Sequence, residues 1–213
     1  MKSSTTDRHE IIIDAIRAGR EMDLEILTTR YTEQSPIPVK SNRLRTLISL
    51  YKLDLPIISR IAKNQLNKYI KGNSTVIAPG FRCLYGNITC DSEVALHDTV
   101  FVDYANVYIG KGVGFSFQNM VITSTHDFCD MKTVLASEII IGENVWITSR
   151  VVILPGVRIG RNSVIGAGSV VSKDIPPNVF AAGAPAKPIK AINRGSLYRS
   201  TCISGICEVG EMI

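Results

Sequence analysis

The chain has only three histidines, and His126 lies in "VITSTHDFCD" (121–130), where a β-branched run ends abruptly in charge. An imidazole has an ordinary pKa of about 6.5, so it can take and return a proton near neutral pH. A second histidine, His97, stands next to Asp98 in "ALHDTVFVDY", with Asp103 a few residues on. Between Lys40 and Lys71 there are eight Lys and Arg residues and one acid, Asp54. Interleaved with Leu, Ile and Tyr, these cations suit a helix on an anionic membrane or a track for an acidic polysaccharide. The plainer expectation, and the favoured one, is a subdomain packed on its neighbour with a basic outer face. "IGKGVG" (109–114) lacks the spacing of a phosphate-binding glycine loop and reads as turns. Five cysteines (Cys83, Cys90, Cys129, Cys202, Cys207) form no CxxC pair, which argues against a disulfide framework and a zinc ribbon.

The elements that must position these groups fall into two halves. At 213 residues the chain reads as one domain, or one domain with a small appendage. No apolar run approaches the roughly 20 residues that span a bilayer, so the expectation is a cytoplasmic, unprocessed chain. Residues 1–72 hold 13 Lys+Arg against 8 Asp+Glu, whereas 73–213 hold 11 of each, so the net charge of +5 belongs to the first third.

Before Gly72 the apolar spacing is helical. Asp7 is a candidate N-cap with Glu10 three residues on, followed by Ile12, Ala15 and Ile16 at three- and four-residue intervals. "SNRLRTLISLYKLDL" places Leu44, Leu47, Ile48 and Tyr51 on one face, and a third short helix ends at Gly72.

After Gly72 a period of six takes over. Ile141, Ile147, Ile153, Ile159, Ile165 and Val171 fall at strict intervals, with glycines or a Pro-Gly pair at turn positions. The frame recurs upstream as Ile88, Val94 and Val100, and after a three-residue slip as Ile109, Phe115 and Val121. "HDFCDMKTVLASE" breaks the period and is expected to leave the regular structure as a loop. A six-residue unit is too short to bury its own apolar side. Three such units must close a coil of about 18 residues, and the coils must stack. The expected fold is mainly β: a parallel β-helix of hexapeptide repeats over 73–190, a helical subdomain over 1–72, and a C-terminal tail over 191–213 without a period.

"FRCLYGNI", "ITSTHD", "IGENVWI" and "PGVRIGRNSVIGAGSVVSKDIPPNVFAAGAPAKPIKAI" together resemble the maltose, galactoside and nodulation O-acetyltransferases of the hexapeptide-repeat superfamily. The resemblance covers roughly residues 73–192, and "IRAGRE" and "RYTEQS" echo the family's helical start. It implies a left-handed coil, a homotrimer with active sites between prisms, and acetyl-CoA as donor, with no metal required.

Carried over residue by residue, the resemblance makes His126 the catalytic histidine. A sugar hydroxyl is a poor nucleophile and needs a base, worth roughly 100- to 10,000-fold in rate. Ser149 falls on the oxyanion donor, through hydroxyl or backbone N–H. Trp146 falls beside the acetyl-CoA site, with coil packing as an equal alternative. Ala167 matches the position where backbone meets pantetheine, with Ser172 and Lys173 following it in the motif. Lys187 and Lys190 match residues that reach the adenosine phosphates.

The acceptor side departs from the pattern. Leu96 stands near the family's sugar-binding asparagine and Tyr104 replaces one acid, which leaves His97, Asp98 and Asp103 as candidate acceptor contacts. Zinc-dependent carbonic anhydrases share such prisms but need three histidines, and only His97 and His126 lie in the repeat region. The expected activity is acetyl transfer to a hydroxyl of a sugar, glycoside or polysaccharide unit, without nucleic acid as a partner. The alternatives are xenobiotic or amine acylation and a non-catalytic trimeric scaffold.

Overall fold

The computed structural model describes residues 3–37, 42–52, 76–78 and 80–193, with isolated positions between 55 and 70. Its centre is a three-faced prism of parallel strands. One face has four strands, in the order Arg158–Ile159, Ile139–Ile141, Val107–Ile109 and Ile88–Cys90. A second has five, from Val170–Val171 through Val152–Ile153, Met120–Ile122 and Val100–Val102 to Arg82–Cys83. The third has seven and runs from Val76–Ile77 to the final pair Val179–Gly183 and Ala186–Ala191. The chain visits the four-, seven- and five-stranded faces in turn and begins again. This is the hexapeptide β-helix expected from the period.

The six-residue unit explains each strand and corner. All six aliphatics from Ile141 to Val171 are fully buried, and the residue two positions before each later one (Val145, Val151, Val157, Ser163, Ser169) is buried as well. Between them the chain turns sharply, with positive φ at Gly112, Gln118, Asn144, Arg150, Gly156, Asn162 and Gly168. Glycine and asparagine recur there because the left-handed region costs them least.

The upstream frame differs from the expectation. Ile88 and Val94 are buried, but as the residues two positions before Cys90 and Leu96, which hold the stacked rows. Val100 is only half-buried and Phe101 fills the row, paired with Cys83 and Val121. The cause is a step of five residues from Leu96 to Phe101, taken where His97 turns with φ 44.

Residues 124–137 also differ from the expected loop. Ser124–His126 and Val134–Ser137 form an antiparallel hairpin, and Thr28–Tyr31 adds a third strand from the start of the chain. The hairpin leaves the prism at the corner between the five- and four-stranded faces.

Helix α1, Ser3–Arg17, begins four residues before the expected cap at Asp7. It lays Ile12, Ile13 and Ile16 on Tyr108 and Ile140, the outward residues of the four-stranded face. Arg17 pins its end to Asp91 with bonds of 2.7 and 3.0 Å. Helix α2, Asn42–Lys52, sends Leu44 and Ile48 into the prism core, with Leu47 and Tyr51 packed beside them, as their spacing predicts. Tyr51 donates to the Ile77 carbonyl at 2.5 Å. Positions 61, 62 and 64–66 are helical, but the expected end at Gly72 and the tail from 194 lie outside the described residues. Of the eight cations between 40 and 71, Arg43 and Arg45 have described side chains, and both are exposed. Among the described residues no helix is long and apolar enough to cross a membrane.

Candidate active site

The predicted site residues divide between two corners of the prism. The first corner joins the seven-stranded face to the five-stranded one, and its turns stack coil on coil. The His97 and Phe117 ring centroids are 5.2 Å apart, and Asp98 Oδ1 accepts the Gln118 N–H at 2.8 Å. Gln118 Oε1 in turn accepts Arg150 Nε at 3.0 Å. Arg150 donates its N–H to the Phe117 carbonyl at 2.9 Å, and Gly168 donates to the Ser149 carbonyl at 3.0 Å. Ser149, half-buried, and Ala167, exposed, are thus neighbours one coil apart. A Cβ built on Gly168 would meet nothing within 4 Å, so the corner beside Ala167 is open space.

Trp146 lies on the strand that enters this corner, between Gly114 and Val164. It is 45% exposed on the outer side of the prism, with its ring edge over Gly114 of the neighbouring coil. Lys187 and Lys190 are exposed on the terminal strand of the same seven-stranded face.

The second corner joins the five-stranded face to the four-stranded one and carries Tyr85, Tyr104, the hairpin of His126, and Ser172 with Lys173. His126 is exposed and stands opposite Val134. Its hairpin is tightly tied. Asp127 accepts the Cys129 N–H at 2.9 Å and Arg30 Nη2 at 3.1 Å, and donates its own N–H to the Thr133 carbonyl at 2.8 Å. Asp130 accepts two backbone N–H groups and the Thr133 hydroxyl, and these bonds hold its carboxyl below the ordinary range.

Asp103 is not an acceptor contact. Its side chain is 0% exposed, and its oxygens accept the N–H groups of Leu84, Tyr85 and Asn87 at 2.6, 3.1 and 2.7 Å. Burial raises its pKa in spite of those donors. The residue shapes the turn under Tyr85 and has no face left for a ligand.

A cavity of about 450 Å³ opens at the second corner, between the prism and the N-terminal segment. Its lining includes Arg8, Tyr31, Tyr85, Tyr104, Asn106 and Glu138. Glu138, 3% exposed, accepts Arg8 Nη2 at 2.7 Å, the Leu27 N–H at 3.2 Å and the Tyr108 hydroxyl at 3.3 Å. Sequence reasoning noticed Tyr104 but missed Tyr31 and Arg8, because no local pattern announces that residues 28–31 pair with 134–137.

His126 and Ser149 are therefore brought to different corners, with the five-stranded face between them. His97 and His126 are separated in the same way, and among the described residues no three His, Cys, Asp or Glu side chains gather as a metal-ligand set. Cys83 and Cys90 are buried, and burial pushes both thiols well up; Cys129 is exposed.

Residues 138–173 match the family model "Bacterial transferase hexapeptide (six repeats)". Galactoside O-acetyltransferase of Escherichia coli is 71% identical over 100 residues, 45% of this chain and 48% of that protein, so the shared stretch is about half the relative's length. A solved maltose O-acetyltransferase from Clostridium difficile superposes with a TM-score of 0.65 at 33% identity, covering 71% of this chain and 85% of that one. A galactoside acetyltransferase in complex with coenzyme A gives a TM-score of 0.64 at 30% identity, covering 85% of this chain and 91% of its own.

The prism and its inserted, imidazole-bearing hairpin are those of a left-handed β-helix acyltransferase. The chain belongs to the hexapeptide-repeat acetyltransferases, the family of the maltose and galactoside O-acetyltransferases.

Proposed function

We propose that the protein transfers acetyl from acetyl-CoA to a hydroxyl of a sugar, glycoside or polysaccharide unit, at sites built between the subunits of a homotrimer. One observation carries this reading. A single chain keeps the base, His126, and the donor residues Trp146, Ser149 and Ala167 at different corners, so a complete site needs the second corner of one copy against the first corner of another. The outward side of the five-stranded face supports such packing, since Val100, Met120, Val152 and Val170 stand in register as one apolar row.

In the ternary complex the acceptor hydroxyl attacks the thioester carbonyl while His126 takes its proton. A C–O bond forms, and the tetrahedral oxyanion is held by the Ser149 hydroxyl or N–H. The C–S bond then breaks, and the imidazolium returns the proton to the departing CoA thiolate. Trp146 flanks the acetyl group, and the small Ala167 lets backbone approach the pantetheine. Lys187 and Lys190 receive the nucleotide end as mobile cations, and Ser172 and Lys173, at the second corner, follow Ala167 in the donor motif. His97 and Asp98, on the donor corner, reach an acceptor only across the subunit boundary.

Mixed trimers test the reading. His126→Ala and Ala167→Trp each leave one corner intact, so each variant alone is expected to be inactive. Co-expressed, they form some interfaces with both corners intact, and CoA release with a hydroxyl acceptor should return to a sizeable fraction of wild type. No recovery in confirmed mixed trimers would show that the site lies within one chain.

A further inference from the structure

The proposed reaction makes no use of the basic segment 40–71, whose outward side has a composition of its own. Helix α2 docks on the first coil of the prism. Tyr51 donates to the Ile77 carbonyl, and Leu44 and Ile48 join Leu66 and Ile70 in the core with Ile77 and Phe81. Those six aliphatic and aromatic side chains are at most 8% exposed, so the segment is firmly seated. Both helical stretches lay their buried side on the same core, and their exposed sides form one outer surface.

That surface is partly apolar. Leu55, Ile57 and Ile61 are 50%, 76% and 58% exposed, three large aliphatics within seven residues. Ile57 and Ile61 are helical and four residues apart, the spacing that puts two side chains on one face. Ala62, Leu66 and Ile70, at the same spacing, are buried, so the packed side is complete without the two isoleucines. Single exposed aliphatics are ordinary, whereas a cluster marks a surface that something covers.

Charge decides between the candidates. Arg43 and Arg45 of α2 are exposed, and residues 40–71 hold eight cations and one acid, whereas 73–213 are balanced. In the sequence Arg60 and Lys63 flank Ile61. A second copy of this chain would bring like charges together. A soluble polyanion matches the cations but offers the aliphatics nothing apolar. An anionic bilayer matches both, because its headgroups attract Lys and Arg while aliphatic side chains enter the boundary between headgroups and acyl chains.

We propose that this outer surface, with Leu55, Ile57 and Ile61 as its apolar part and Arg43 and Arg45 among its cations, docks the protein on an anionic lipid bilayer. The contact is peripheral: among the described residues no helix is long and apolar enough to cross a membrane. The proposal stands independently of the reaction above, since none of these residues belongs to the site.

The test is co-sedimentation of the full chain with vesicles of phosphatidylglycerol and phosphatidylcholine in equal parts, with phosphatidylcholine alone as the reference. At low salt the protein should bind the mixed vesicles at least about tenfold more tightly than the reference, and high salt should weaken that binding. Arg43→Glu combined with Arg45→Glu should lower the partition coefficient about 25-fold or more, at about fivefold per cation lost. Ile57→Ser should lower it about five- to tenfold, with thermal melting unchanged because the side chain is exposed. Ile57→Trp should keep the binding, and its emission should shift to the blue on the mixed vesicles. No pelleting with anionic vesicles, or binding indifferent to Ile57→Ser, overturns the proposal. Binding of a soluble acidic polysaccharide such as polygalacturonate in place of vesicles overturns it too, as does self-association without lipid that Ile57→Ser abolishes.

Discussion

The two corners of the prism are made by different kinds of sequence. The corner with Ser149 and Ala167 is built, from Phe115 onward, of strict six-residue units, each turning at its fourth residue, so its shape there follows from repetition. The corner with His126 is assembled from irregular coils around Tyr85 and Tyr104, an inserted hairpin, and a strand from the beginning of the chain. Its parts are fastened by specific pairs, Arg8 with Glu138 and Arg30 with Asp127, because no stacking rule places them. A repeated scaffold suits a donor whose pantetheine and nucleotide are invariant. A corner of individually fitted pieces suits an acceptor that differs from one enzyme to the next.

Substitutions should reveal this division. With His126 as the proposed base, His126→Ala should lower kcat/KM about 100- to 10,000-fold, with acetyl-CoA affinity unchanged in a binding assay. Ile153→Ala, in the strict coils, should instead cost about 2–5 kcal/mol of unfolding free energy by denaturant titration, because the stacked row cannot close over the missing atoms. A smaller effect is expected at the exposed cations. Lys187→Ala and Lys190→Ala should each raise the KM for acetyl-CoA about fivefold with little change in kcat, and added salt should shrink the difference.

The smallest effect concerns the fastening of α1. The Arg17 guanidinium, followed by the Ser92 N–H, holds the Asp91 carboxyl below the ordinary range. A carboxylate with a lowered folded pKa stabilises the fold above its unfolded pKa, about 3.9, and loses that contribution as pH falls through the folded value. Asp91→Asn should therefore cost under about 1 kcal/mol at neutral pH, Arg17 being largely exposed, and nothing once the wild-type carboxylate is protonated. Thermal melts of the two proteins across the acid range would show the curves converging.

The strict coils were legible because a six-residue period needs no long-range information: Ile141 to Val171 announce their own burial. The same was true of α2, whose face of Leu44, Leu47, Ile48 and Tyr51 packs as its spacing predicts. Trp146 was half-legible, since the period places it outward but does not say what it meets. The irregular coils and the corner of His126 were not legible. The five-residue step at His97 shifts which side chains face in, so Val100 read as core although Phe101 holds the row. Asp103 read as a ligand group because a carboxylate near a site is ambiguous until its backbone donors are known. The hairpin read as a loop because its third strand, Thr28–Tyr31, comes from far away in the chain.

That third strand also bears on how the molecule is made. Thr28 and Ser137 meet across 109 positions, closing one of the longest loops in the chain, whereas neighbouring coils close over about 18. Local stacking is expected to run ahead of so distant a closure. The prism can thus stand, with the corner of Ser149 and Ala167 complete, while the imidazole still lacks its support. Turnover then reports the finished molecule, and an assay of activity during refolding should lag behind any probe of the coils.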